Sequence, residues 1–340
     1  MSTSVGIVVI GRNEGQRLVR CLASLGDHAP VVYVDSGSTD GSVARATSLH
    51  AVIVNLDMSR PFTAARARNA GLARLIELAP EVEFVQFVDG DCEIHPCWLA
   101  VGTEALRSDS RMAVICGRLR ERHPERTIFN RMCDIGWDYP IGEIDSCGGV
   151  ALYRTEAIGA AGGFSETLIA GEEFELCLRI RDAGGRIVRI DSEMAWHDVD
   201  MTSVRQWWRR TVRSGYGAAE GCCLYRPQAG RSFRLRTLRA IFWGGFIPAA
   251  LLVSVALGVL YPSMMFASLA VLVAWCLNWL RLGTRERMRG RDWPTSISLA
   301  FFAMFGKVAE FRGILEYWSR RLLGRKAAVI EYRDVAAPKP

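Results

Sequence analysis

Short runs of apolar, largely β-branched residues alternate with longer amphipathic stretches over the first third of the chain. Residues 5–10, 30–35, 51–55, 83–89 and 112–117 read as strands, and residues 14–25 and 63–78 between them read as helices. Strands that are apolar on both faces and separated by helices predict an α/β fold built on a mostly parallel, doubly wound sheet. Ligands on such sheets bind beyond the carboxyl ends of the strands. Polar residues collect at those ends here: Gly11-Arg12-Asn13-Glu14 after the first strand, Asp35-Ser36-Gly37-Ser38-Thr39-Asp40-Gly41 after the second, and Asp89-Gly90-Asp91 after the fourth. Three strand ends are therefore expected to converge on one crevice.

The pattern changes in the last third. Residues 240–280 carry no charge, and a helix of that length would reach about 60 Å against about 30 Å for one hydrocarbon core. Two membrane spans fit, with Tyr261-Pro262-Ser263 as the turn. Arg231, Arg234, Arg236 and Arg239 lie before the run and Arg281, Arg285 and Arg287 after it, so both ends are expected on the cytoplasmic side. A buried helical hairpin of a soluble core is the competing reading. Residues 293–306 form a further apolar stretch, and its continuation mixes aromatic and basic residues, which predicts an interfacial helix or a third span over 293–325. Residues 205–239 hold nine arginines against the single acid Glu220, the pattern of an electrostatic anchor to anionic lipid. Nucleic acid is not expected, since no helix-turn-helix, zinc-finger or RNP-type motif accompanies the charge. The layout expected is a catalytic domain over 1–220, a basic juxtamembrane linker over 221–239, two membrane helices over 240–281, the amphipathic helix, and a Pro-rich tail over 326–340.

Composition narrows the class. The chain has 340 residues and a formal net charge of +6, and its mean hydropathy of +0.11 is too apolar for a disordered chain. Its ten cysteines include no C-x-x-C pair and no zinc-type spacing with histidine, which argues against a metal knuckle or a disulfide scaffold. The N-terminus has neither a basic n-region nor a long apolar h-region, so the first domain is expected in a reducing cytoplasm. Neither G-x-G-x-x-G nor G-x-x-x-x-G-K-[ST] occurs, so a Rossmann or P-loop nucleotide site is excluded.

Five features could carry chemistry. Asp89 and Asp91, one glycine apart at a strand end, repel each other, and a divalent cation bridging to phosphate would relieve this; an Asx-turn after an edge strand is the alternative. Asp35 and the hydroxyl-rich loop after it suit a base and a backbone cradle, or a plain capped turn. Arg66 and Arg68 stand near a helix start against the macrodipole, which a nearby diphosphate would offset; solvated arginines are the alternative. Glu172 and Glu173 open a helix, where acids are ordinary, but one facing a metal from a second lobe would be a natural general base. His197, after another apolar strand, could bind metal or phosphate or be structural.

Taken together, I-G-R-N-E (10–14), C-L-A-S-L (21–25), V-D-S-G-S-T-D-G-S (34–42), A-R-N-A-G (67–71), V-D-G-D (88–91), G-G-V-A-L-Y-R (148–154) and G-E-E-F-E-L (171–176) resemble a family 2 glycosyltransferase of the GT-A fold over roughly residues 4–220. The resemblance implies inverting transfer of a sugar from a nucleoside diphosphate sugar to an acceptor hydroxyl, with Mg²⁺ or Mn²⁺ on the diphosphate. By position, Asn13, Glu14, Asp35, Ser36, Arg68, Asn69 and Asp89 would serve the nucleotide, and Asp89, Asp91 and His197 the metal. Glu173, or else Glu172, would be the base, while Gly148, Gly149, Gln206 and Arg209 would face the acceptor or donor sugar. The chain departs from the family twice. A Glu-Glu pair replaces the usual Glu-Asp, and Gln206-Trp207-Trp208-Arg209-Arg210 lacks the tryptophan that ends the processive Q-x-x-R-W motif, so a single transfer is expected. With the hairpin, the resemblance implies a catalytic domain on the cytoplasmic face of the inner membrane and a lipid-linked or envelope-polysaccharide acceptor. The competing classes are a D-x-D phosphotransferase using Asp89 as nucleophile and a catalytically silent membrane-tethered scaffold.

Overall fold

The computed structural model describes residues 5–26, 30–224 and 231–324. The chain forms two compact units, Met1–Thr202 and Ser203–Asp334. The first alternates β1 (Val5–Gly11), α1 (Gln16–Ala23), β2 (Val31–Asp35), α2 (Ser42–Ser48), β3 (Val52–Asn55), α3 (Ala64–Leu78), β4 (Phe84–Asp89), β5 (Cys92–Ile94), α4 (Trp98–Ser108) and β6 (Met112–Glu121). It continues through α5 (Ile128–Gly136), β7 (Gly142–Glu143), β8 (Ala151–Arg154), α6 (Thr155–Ala160), α7 (Glu172–Asp182) and β9 (Arg186–His197).

These elements build one nine-stranded sheet in the order β3-β2-β1-β4-β8-β6-β9-β5, with β7 paired to β9. The first four strands in that order are parallel, as their two-sided apolar pattern demands. Beyond β4 the sheet is mixed: β8 runs antiparallel to both β4 and β6, β6 and β9 are parallel, and β5 and β7 are antiparallel to β9. The expected α/β class holds, and its parallel character belongs to the first half. β6 runs on past residue 117 to Glu121, with register shifts against β9 that bend it. The strand before Asp89 is not an edge strand, because β4 lies between β1 and β8.

Helix boundaries follow capping chemistry. The Thr63 side chain accepts from the Arg66 N–H to start α3. Gly171, at φ 87°, turns the chain into α7, whose first turn holds Glu172, Glu173 and Glu175 and whose last holds Arg179 and Arg181, matching the macrodipole at both ends. In the core, Gln86 is fully buried in β4 and satisfied, accepting from Trp98 Nε1 at 2.7 Å and donating to the Phe87 carbonyl at 2.7 Å. The ten cysteines are free thiols.

The second unit is helical: α8 (Val204–Leu224), α9 (Arg231–Ala240), a π-helical segment (Ile241–Phe246), α10 (Ile247–Leu260), α11 (Met264–Met288) and α12 (Trp293–Leu322). The units divide at residue 202, and Gly215 to Gly221 lie inside α8 and pack within the helical unit. The stretch 221–239, expected as a basic juxtamembrane linker, is helical where described: it contains the end of α8 and most of α9, which leads directly into the apolar helix. Arg231–Leu260 and Met264–Met288 are long and apolar enough to cross a membrane by length and composition. They pair as a hairpin, with Ser268 Oγ donating to Ser254 Oγ at 2.9 Å. Their outward residues have no cover among the described residues: Val259 is 82% exposed and Phe266 77%. Residues 293–322 form one continuous helix started by Asp292, which accepts from the Thr295 N–H. The tail expected over 326–340 lies outside the described residues.

Glycines set the helix contacts here. A Cβ at Gly313 would run into the Val212 carbonyl and lie 2.7 Å from the Tyr216 nitrogen, both backbone atoms of α8. At Gly283 of α11 the nearest atoms across the contact with α12 are at 3.9 Å. Gly313→Ala is expected to force α8 and α12 apart and lower the melting temperature of the detergent-solubilised protein. Gly283→Ala should leave it equal or higher, since alanine is worth about 1 kcal/mol over glycine in a helix interior. Paired thermal melts check both; equal destabilisation would contradict the packing argument.

Candidate active site

The loops after β1 and β2 lock together. Asn13, in the left-handed region at φ 55°, donates its N–H to Ser38 Oγ at 2.9 Å and accepts from the Thr39 N–H at 2.8 Å. The Ser36 N–H donates to the Gly11 carbonyl at 3.0 Å. Asp35 holds its own loop: Oδ2 accepts from the Gly37 and Ser38 N–H groups at 3.0 and 2.8 Å, and Oδ1 from the Tyr33 hydroxyl at 3.0 Å. Burial, then the Asp35 charge, push the Tyr33 pKa upward and keep that hydroxyl a donor. Three of about four carboxylate lone-pair sites are thus used. Asp35 is an Asx-turn centre with one acceptor position left. Glu14 pairs with Arg17 at 3.0 Å.

Arg68 gathers the second group. Its guanidinium is buried and forks to three carboxylates on two elements: Nη2 lies 3.1 Å from Asp89 Oδ1 at the end of β4, and Nη1 lies 3.0 Å from Glu172 Oε1 and 2.9 Å from Glu173 Oε1 on α7. Burial works against the charge, but Glu173, Asp89 and Glu172 outweigh it and raise the Arg68 pKa, so the group stays cationic at any working pH. Its face also lies 5.5 Å over the Phe164 ring. Gly149 closes the cluster. A Cβ there would meet Arg68 Nη2, lie 2.9 Å from Asp89 Oδ2 and 3.2 Å from Glu173 Oε1, whereas one at Gly148 would meet nothing. Of the two candidate bases, Glu173 is the more accessible, with 19% of its side chain exposed against 6% for Glu172.

Asp91 and His197 meet through strand pairing. After β4 the chain turns into β5, whose antiparallel register with β9 sets Cys92 opposite His197, and the Asp198 N–H donates to the Asp91 carbonyl at 3.0 Å. His197 Nε2 then lies 2.8 Å from Asp91 Oδ2, both side chains being buried. Asp91, Cys92 and His197 offer ligand atoms within 4.8 Å of one another, a group that could hold a metal ion. Asp89 is not in that group; its carboxylate is on Arg68. The Cys92 thiol faces Asp91 Oδ1 at 3.7 Å. The local charge favours a cation, because one guanidinium faces three carboxylates and Asp91 adds a fourth nearby in the chain. Carboxylate with imidazole is a donor set that Mn²⁺ and other divalent ions accept.

Other expected site residues fall elsewhere. Asn69, expected at the nucleotide, donates to the Phe164 carbonyl at 2.8 Å and accepts from the Phe164 N–H at 2.9 Å, which pins the loop before α7. Arg66 is buried, not solvated, and its guanidinium satisfies the carbonyls of Asp57, Arg60 and Pro61. Gln206 and Arg209 lie on α8 in the second unit. Ser203 and Gln206 form a reciprocal capping box there, each N–H donating to the other's side chain at 3.2 Å. Sequence reasoning missed Phe164 under Arg68 and Trp137, whose ring stacks on His197 with centroids 4.6 Å apart and planes 13° from parallel. Neither carries a local motif that marks it.

Comparison with known proteins places this geometry. The family model "Glycosyl transferase family 2" matches residues 6–158 and "Glycosyl transferase family group 2" matches residues 129–282. The pre-mycofactocin glycosyltransferase of Mycobacterium tuberculosis is 25% identical over 343 residues, covering 97% of this chain and 67% of that protein. Glycosyltransferase AglE of Haloferax volcanii is 23% identical over 258 residues, covering 72% and 81%. In structure, the mannosyltransferase PcManGT of Pyrobaculum calidifontis, solved with GDP-Man and Mn²⁺, superposes with a TM-score of 0.58 at 17% identity over 92% of this chain and 87% of that one. TarS 1–349 of S. aureus, solved with UDP-GlcNAc, gives 0.52 at 16% identity over 95% and 92%. The ordered motifs, the mixed α/β sheet of GT-A type and both family models agree, and this chain belongs to the family 2 glycosyltransferases.

Proposed function

We propose that the enzyme transfers a sugar from a nucleoside diphosphate sugar, with inversion and once per encounter, to a hydroxyl of a membrane-associated acceptor. The observation that carries this reading is the Arg68 cluster, which brings Asp89, Glu172, Glu173 and Gly149 to one point beside the strand ends. Asp91 and His197 would hold Mg²⁺ or Mn²⁺, which when bound neutralises charge on the departing diphosphate. That PcManGT is seen with GDP-Man and Mn²⁺ and TarS with UDP-GlcNAc supports both the donor class and the metal.

Chemistry falls to this chain's own groups. Asp35, with its one remaining acceptor position, takes a ring-edge N–H of the base, and the locked loops of residues 11–14 and 35–41 wall the nucleoside. Gly149 lets its loop close directly onto Arg68, Asp89 and Glu173, which keeps the cluster walled off from solvent on that side. Glu173 takes the proton of the acceptor hydroxyl as its oxygen bonds to the anomeric carbon and the bond to the diphosphate oxygen breaks on the opposite side. One displacement of this kind inverts the anomeric centre. Arg68 orients Glu173, and Glu172, more buried on the same Nη1, braces the arginine.

The exposed hairpin of Arg231–Leu260 and Met264–Met288 supports a membrane location, with arginines at both of its ends indicating the cytoplasmic side. The half-exposed apolar stripe of α12, Trp293, Ile297, Phe301 and Phe305, supports a helix lying against lipid. A lipid-linked or envelope-polysaccharide acceptor follows from that location.

Nucleoside diphosphate release from UDP-, GDP- and dTDP-sugars by the detergent-solubilised chain, with added membrane lipid extract, is the direct test. One donor should turn over with Mn²⁺ or Mg²⁺ and stop in EDTA, and Asp91→Asn should abolish that turnover; metal-independent release would refute the metal role. Glu173→Gln is expected to lower kcat by about 10²–10⁴-fold with donor affinity kept, and Glu172→Gln by much less; the reverse ranking in steady-state kinetics would move the base to Glu172. Arg68→Met strands three carboxylates around a buried site. It should destabilise the first unit by about 3–5 kcal/mol, read as a lower melting temperature, as well as abolish turnover.

A further inference from the structure

A histidine that binds a metal through one ring nitrogen is almost always held in place by a hydrogen bond from the other, to a carboxylate, a carbonyl or water. In His197, Nε2 is on Asp91, and Nδ1 is buried with no hydrogen-bond partner among the described residues. The imidazole plane is therefore not fixed by hydrogen bonding at Nδ1. What lies against its face is the Trp137 ring, nearly parallel at 4.6 Å.

Trp137 is itself held by an extended framework. It closes α5, its N–H donating to the Cys133 carbonyl at 3.0 Å. On either side of it in sequence, Asp134 is paired with Arg118 of β6 at 3.0 Å and Asp138 with Arg189 of β9 at 3.0 Å, both arginines being buried. At the other end of α5, the Thr127 hydroxyl donates to the Met201 carbonyl at 2.8 Å, and Asn130 Nδ2 donates to Glu121 Oε1 at 3.1 Å. Two ion pairs to buried arginines and a capped helix fix this end of α5. They hold one indole plane against one imidazole.

We propose that Trp137 is a positioning residue for His197, its stacked ring fixing the imidazole plane in place of the missing hydrogen bond and so setting affinity for the divalent cation at Asp91 and His197. This rests on the metal reading above, and the test separates the two. Mn²⁺ is titrated by electron paramagnetic resonance against the full chain in detergent saturated with UDP, and with GDP in a parallel series. Nucleotide binding in EDTA and thermal melting are recorded for each variant. Trp137→Leu should weaken Mn²⁺ binding about ten-fold or more, within the range typical of lost outer-shell support. Trp137→Phe, which keeps a flat ring, should stay within about three-fold, and Asp91→Asn should abolish the site. Nucleotide binding in EDTA should be unchanged in all of them. If Trp137→Leu binds Mn²⁺ like the wild type while Asp91→Asn does not, the inference is wrong and the metal site stands. If Asp91→Asn still binds Mn²⁺ tightly, the metal reading falls and takes the inference with it. Equal losses in the Phe and Leu variants, or a Leu variant that also loses nucleotide binding and melts early, would reduce Trp137 to a packing role and overturn the proposal.

Discussion

One buried guanidinium organises the catalytic unit. An arginine taken out of water must be compensated, and removing any partner leaves charge stranded where solvent cannot reach it. Arg68 meets this demand with carboxylates from the end of β4 and the start of α7, so the helix carrying the candidate base is tied to the strand that ends in Asp89. The same demand explains an arginine in the first turns of α3, where the macrodipole disfavours it: the compensating charge comes from far along the chain. Gly149 belongs to this constraint as well, since no side chain fits between the loop and the cluster. The cluster keeps an excess of negative charge, which suits a crevice that handles a cation and a diphosphate together.

The second centre depends on the sheet ceasing to be parallel. Had the chain continued as a doubly wound sheet after β4, Asp91 would have entered a crossover helix. It instead turns into the short β5, which pairs antiparallel with the far end of β9 and sets Asp91 against His197. β9 is long enough to take β7 at one end and β5 at the other. The mixed half of the sheet thus serves the proposed metal, while the parallel half serves the loops proposed for the nucleoside.

The helical unit follows different physics. Glycines let α8, the π-helical segment and α12 approach to backbone contact, as in membrane helix packing, where small residues rather than hydrophobic exclusion bring helices together. Glu310, buried among these helices, takes Arg236 at 3.2 Å and Lys307 at 2.7 Å, so the acid is paired twice. Many apolar side chains of α10 and α11 face outward, as the proposed membrane location requires.

Periodicity and strand-end chemistry were enough to read the α/β class, β1 to β4 and the start of β6, the extent of α3, the start of α7, the apolar hairpin and the family, because each depends on residues close together in sequence. The loops of Asn13 and Asp35 were legible for the same reason: their hydrogen bonds join short polar turns that follow adjacent parallel strands. What the sequence left open was decided by pairing over long separations. Asp89 belongs with Arg68 rather than with Asp91, Asn69 and Arg66 satisfy backbone groups, and Gln206 caps a helix; residue type is the same in either role, and only the fold supplies the partner. Trp137 had no local signature at all, because its place over His197 depends on two arginines in β6 and β9 that grip the acids flanking it. Sequence determines which groups can bear charge, donate or stack; the tertiary structure alone decides which of them are buried together, and burial makes those partners obligatory.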